Sequence, residues 1–90
     1  MIWTMKGSEI YRNVAEKLRL LRTLTGVSQQ RVADYIHVNR STYSYYELGA
    51  NKPPLHVLCA LAEYFDINLS YLTGTEGIRP GHKFYKLLKQ

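Results

Sequence analysis

Cysteine is almost missing from this chain: Cys59 is the only one in 90 residues, so no intrachain disulfide can form and a reducing compartment is the default. Proline, with three residues, and glycine, with six, are too sparse for a collagen-like or low-complexity chain. No apolar run approaches the roughly 20 residues that a bilayer-spanning helix needs, so no membrane partner is expected. The opening Met1-Ile2-Trp3-Thr4-Met5-Lys6 places its basic residue after the apolar ones, the wrong order for a secretory leader. A cytoplasmic location is the expectation. Acidic residues are also scarce, seven against twelve Lys and Arg, which gives a net charge of +5 and favours an acidic partner such as nucleic acid.

What remains is 46% apolar, enough side-chain volume for one compact core at this length. The charge is segregated. Residues 12–52 carry Arg12, Lys17, Arg19, Arg22, Arg31, Arg40 and Lys52 against Glu16, Asp34 and Glu47. Residues 53–78 carry only Glu63, Asp66 and Glu76, and the tail adds Arg79, Lys83, Lys86 and Lys89. A polyanion should therefore meet the first half or the tail.

Apolar residues recur at helical spacing in short blocks separated by caps. Ser8 is a candidate N-cap for a first helix with Ile10, Val14, Leu18 and Leu21 inward, stopped by Gly26. Ser28 opens a second helix, with Val32, Ala33 and Ile36 inward. Asn39 opens a third, with Tyr43, Tyr46 and Glu47 on one face and Gly49 at its end. After the loop 49–54 a fourth helix is expected to bury Leu55, Leu58, Cys59, Ala62 and Phe65, and Asn68 caps a last turn closed by Gly74. No alternating β-branched run is present, so the expected fold is all-α: five helices over residues 8–74, followed by a basic amphipathic C-terminal extension, 75–90.

The second and third helices are joined by so few residues that they must cross steeply, the arrangement of a helix-turn-helix. Five blocks then fall in one ungapped register: Leu18-Arg19-Leu20-Leu21-Arg22, Gly26 to Ala33, Val38-Asn39-Arg40-Ser41-Thr42, Tyr46-Glu47-Leu48-Gly49, and Pro53. In this the chain resembles the Cro and phage-repressor-like (XRE) helix-turn-helix family over about two thirds of its length. The resemblance implies that Gln29, and more weakly Gln30, contact DNA phosphate at the start of the second helix. It makes the third helix the recognition helix. Arg40, Ser41, Ser44 and Tyr45 lie opposite its inward stripe and are expected to face bases, Arg40 serving either a guanine edge or a phosphate. Tyr43 and Tyr46 match aliphatic positions of the family and are expected in the core. Asn51 and Lys52 match backbone-contacting positions, and Arg22 with Glu47 matches an inward structural salt bridge.

Two positions depart from the family pattern: His37 and Asp66 stand where glycine is common, both at sites expected to need positive φ. His56 and Cys59 share a helix face, but no second pair completes a metal site; Cys59 reads as core and His56 as surface. No nucleophile motif or phosphate loop is present, so neither enzyme activity nor a cofactor is expected. Leu20 and Leu24 form an apolar flank on the first helix. Phe84, Leu87 and Leu88 of the tail offer a matching stripe, to pack there in cis or on a second subunit, while the tail's basic residues could instead reach DNA. The expected function is that of a sequence-specific regulator of transcription, a repressor, binding a pseudo-palindromic operator in double-stranded DNA as a homodimer. The alternative is a protein-interaction module, antitoxin-like or adaptor, that holds a partner protein through the Leu20/Leu24 flank and the tail.

Overall fold

A computed structural model describes residues 6–88. Among these the only regular elements are six helices: α1 (Gly7–Thr25), α2 (Gln29–Tyr35), α3 (Arg40–Leu48), α4 (Leu55–Phe65), α5 (Leu69–Thr73) and α6 (Tyr85–Leu88). The first five are those expected, and α6 is a single turn within the C-terminal extension. No helix of the described residues is long and apolar enough to cross a membrane.

Caps set these boundaries. The Ser28 hydroxyl accepts from the Arg31 N–H at 3.1 Å and the Asn39 side chain from the Thr42 N–H at 2.7 Å, so each short helix of the pair starts on the residue anticipated. One start differs, and one expected cap works through its backbone alone. Lys6, not Ser8, is the N-cap of α1, and its backbone N–H donates to Glu9 at 3.3 Å. Asn68 is the N-cap of α5 through its carbonyl, which accepts from Tyr71 and Leu72, while its side chain makes no capping bond.

Four helices end alike, with one left-handed residue whose successor donates to the carbonyl five positions back. After α3 and α5 that residue is Gly49 or Gly74; after α2 and α4 it is His37 (φ 61°) or Asp66 (φ 55°), as the departures from the family pattern implied. At Gly74 space matters too, because a Cβ there would lie 2.3 Å from the Asn13 amide nitrogen, which donates to the Thr73 carbonyl.

The core joins Val14, Leu18 and Leu21 of α1, Val32 and Ala33 of α2, Tyr43 and Tyr46 of α3, and the inner face of α4. α1 packs mainly on α3 and α5, and α2 on α3 and α4. The buried stripe of α4 is Val57, Leu58, Leu61, Ala62 and Phe65. This corrects the expected face: Leu55 is 67% exposed and Cys59 is exposed, because both lie well away from the centre of that stripe.

The described part of the extension, 75–88, does not cover the Leu20/Leu24 flank, which stays exposed. It runs instead against the C-terminal end of α4. Ile78 and His82 are buried, Phe84, Tyr85 and Leu88 pack on the core, and Leu87 points outward. The Phe84 N–H donates to His82 Nδ1 at 3.0 Å, which leaves Nε2 as the donor to the Asp66 carbonyl. Lys83 sits 3.6 Å from the Asp66 carboxylate, an exposed pair of little energetic weight. Neither Ile78 nor His82 carries a periodic signal, which is why the sequence did not single them out.

Candidate nucleic-acid interface

The α2–α3 unit is closed by three residues, Ile36, His37 and Val38, before the Asn39 cap. The left-handed turn at His37 lets the Val38 N–H return to the Ala33 carbonyl at 3.0 Å, so the chain reverses sharply and α3 is thrown across α2. Tyr43 and Tyr46 then enter the core, with Glu47 beside them, and this orients the opposite flank of α3. On that flank Arg40, Ser41 and Tyr45 are exposed and Ser44 is half-buried. Arg40, Ser41 and Tyr45 are thus open to solvent, while Ser44 is partly covered.

Glu47 is the electrostatic centre beneath this flank, with only 4% of its side chain accessible. Arg22 donates to it twice, Nε to Oε2 at 2.6 Å and Nη2 to Oε1 at 3.1 Å, and Arg22 Nη1 also donates to the Val27 carbonyl at 3.3 Å. Burial by itself would push the Glu47 carboxyl up, but hydrogen bonds from Arg22 first, and from Gln29, outweigh it and hold its ionisation below the usual carboxylate range. The Arg22–Glu47 bonds in turn raise the ionisation of Arg22, against the opposing effect of its own burial. The Tyr43 hydroxyl is buried against the pair without completing a hydrogen bond; burial, then the Glu47 carboxylate, pushes its ionisation far above the usual phenol range.

Beside Ser41, Ser44 and Tyr45, the residues proposed from sequence fall into three sets. Gln29 and Arg40 come together: Gln29 Nε2 donates to Glu47 Oε1 at 3.2 Å, and Arg40 Nη1 donates to Gln29 Oε1 at 3.3 Å. Gln30 turns aside to Asp34 at 2.8 Å, along its own helix. Asn51 and Lys52 are exposed beyond the far end of α3, with Lys52 Nζ 5.7 Å from the centre of the Tyr11 ring and the Tyr11 hydroxyl donating to the Pro53 carbonyl at 3.4 Å.

Arg12 and Arg19 were not singled out. With Lys52 they line an open crevice of about 380 Å³ between α1 and the end of α3. Their spacing of seven puts them on one helix face, a signal that was available. Among the described residues no three His, Cys, Asp or Glu side chains converge as metal ligands would.

Fold and site together define a helix-turn-helix protein of the kind that carries a polar flank on its second motif helix. A profile of the Helix-turn-helix family matches residues 18–72, more than half of the chain, and the chain belongs to that family. Proteins of Bacillus subtilis (strain 168) are among those it is similar to. The SPbeta prophage-derived uncharacterized HTH-type transcriptional regulator YonR is 37% identical over 57 residues, covering 63% of this chain and 53% of that protein. The uncharacterized HTH-type transcriptional regulator YobD is 34% identical over 59 residues, covering 66% and 53%. The HTH-type transcriptional regulator AnsR is 38% identical over 61 residues, covering 68% and 53%. The chain thus spans about half the length of these relatives.

Proposed function

We propose that this protein is a regulator of transcription that binds double-stranded DNA in a sequence-specific manner, acting as a repressor. The observation that carries the reading is the α3 flank on which Arg40, Ser41 and Tyr45 are exposed and Ser44 half-buried, set beside Gln29 at the start of α2. Arg40 has paired donors suited to guanine O6 and N7, the serines donate or accept, and Tyr45 packs on a thymine methyl. Gln29 and Gln30 at the start of α2, with Asn51 and Lys52 beyond α3, bind the phosphate backbone, which positions α3 without reading sequence. The relatives' names as HTH-type transcriptional regulators support the same reading.

One recognition helix covers only a few base pairs, so useful specificity calls for a homodimer on two half-sites about 34 Å apart or a multiple of that. The uncovered Leu20 and Leu24 offer that dimer an apolar surface, and they equally favour the second reading, a module that holds a partner protein.

Selection of bound sequences from a random duplex pool tests the proposal. Arg40→Ala should then relax the preference at one base position, costing about 1 to 3 kcal/mol of discrimination. Lys52→Ala should weaken all sequences alike and flatten the salt dependence of binding. If both substitutions leave binding unchanged at low salt, α3 is not the reader and the partner-protein reading takes its place.

A further inference from the structure

The open crevice of about 380 Å³ between α1 and the end of α3 gathers three cations from two parts of the chain. Arg12 and Arg19 stand two turns apart on one face of α1, and Lys52 reaches in from the loop after α3. Tyr11 places Lys52 there: the ammonium lies over the Tyr11 ring, whose hydroxyl is tied to the Pro53 carbonyl. Among the described residues neither arginine has an ion-pair partner. The acids that line the crevice do not cancel this charge. Glu47 is already taken by Arg22, and Glu16 is one carboxylate against three cations.

The crevice opens on the reading side of the molecule. Its apolar wall is Leu48, 67% exposed, which lies about 80° round α3 from Arg40, between Ser44 and Ser41. The nine residues of α3 make about 13 Å of helix, close to the roughly 12 Å width of a DNA major groove. A helix seated in that groove therefore brings its far end close to a phosphate strand, and the crevice lies at that end. We propose that the crevice is a phosphate site: Arg12 and Arg19 of α1, with Lys52, hold a backbone phosphodiester of the bound duplex beyond the base pairs read by α3. Two guanidinium forks and an ammonium offer a phosphate paired, charge-assisted hydrogen bonds. This inference rests on the DNA-binding reading above and carries the contact surface onto α1. Tyr11, Arg12 and Glu16 precede the residues 18–72 that the family profile matches, so the site is built in part outside the shared family segment.

The test places single neutral methylphosphonates along both strands of the selected duplex. In the wild type one position flanking the bases read by α3 should lose affinity about tenfold. The variant Arg12→Gln, Arg19→Gln should bind the unmodified duplex about tenfold more weakly and no longer respond at that position. Its salt dependence should flatten, the log–log slope falling by about one. Lys83→Gln with Lys86→Gln removes the same net charge from the extension and should leave the positional response intact, which separates the crevice from charge in general. Glu16→Gln should act in the opposite direction and tighten binding to all duplexes alike, a result that a folding defect cannot imitate. If the double arginine variant keeps the wild-type profile, or Glu16→Gln does not tighten binding, the proposal is overturned while the DNA-binding reading stands. If the wild type binds no duplex, that reading fails and this inference with it. Displacement of the duplex by micromolar inorganic phosphate or nucleoside monophosphate, dependent on the same two arginines, would make the crevice a small-ligand site and overturn the backbone assignment.

Discussion

Arg22 of α1 holds Glu47 of α3 through two hydrogen bonds, at 2.6 and 3.1 Å, with the carboxylate almost wholly buried and the guanidinium partly open to solvent. The pair spans the two helices whose relative placement decides where the α3 flank points. Its value lies less in net attraction, which desolvation largely offsets, than in the cost of breaking one side only.

Removing one partner should therefore cost far more than removing both. Arg22→Met leaves a buried carboxylate with Gln29 as its remaining donor and should destabilise the fold by about 3 to 5 kcal/mol. The double variant Arg22→Met, Glu47→Leu should recover most of that loss. Urea denaturation of the wild type, both singles and the double reads the cycle directly, and additive singles would show that the two side chains do not act as a unit.

Acid should loosen the same joint. The folded-state ionisation of Glu47 is depressed, so its contribution to stability is fully present above the ordinary carboxylate range and is lost as pH falls through the lower folded value. Thermal midpoints measured downward from pH 7 should hold until the ordinary carboxylate range and then drop. Glu47→Gln, which has no charge to lose, should begin lower and show a shallower acid decline.

The left-handed residues after the helices should respond in opposite directions. His37→Gly and Asp66→Gly each remove a side chain from a position with φ near 60° and should raise stability by about 0.5 to 1 kcal/mol, less than the full left-handed penalty because glycine also loosens the unfolded chain. Gly26→Ala should lose about 1 kcal/mol from backbone strain alone, since open space surrounds its Cβ. Gly74→Ala should lose more, because the new Cβ also displaces Asn13 from its bond to Thr73. Differential scanning calorimetry of the four variants gives the order, and equal losses at Gly26 and Gly74 would contradict the close approach.

Much of this molecule was legible in its sequence wherever the governing interaction is local. Ser28 and Asn39 cap α2 and α3 through bonds three residues long, and Gly49 and Gly74 stop helices by their own backbone freedom. Helical period puts Tyr43, Tyr46 and Glu47 on one face of α3 and Arg40, Ser41, Ser44 and Tyr45 opposite them, and the family resemblance supplies which of the two faces inward. The buried stripe of α4 did not follow, because Leu55 to Phe65 is apolar nearly all round and periodicity cannot choose between overlapping faces. Packing against α2 and α5 chose the Val57–Leu61 side and left Cys59 out.

The extension and the Gln29 bridge mark the same boundary. His82 docks on a carbonyl that exists as a free acceptor only because α4 ends at Asp66, and Gln29 reaches Arg40 only because α2 and α3 cross where they do. Residue order determined the helices, their caps and the signs of the charges, since each depends on neighbours within one turn. Which faces were buried, where the tail came to rest and which polar groups met across helices depended on three-dimensional packing, because those partners are remote along the chain and are brought together only when the core closes.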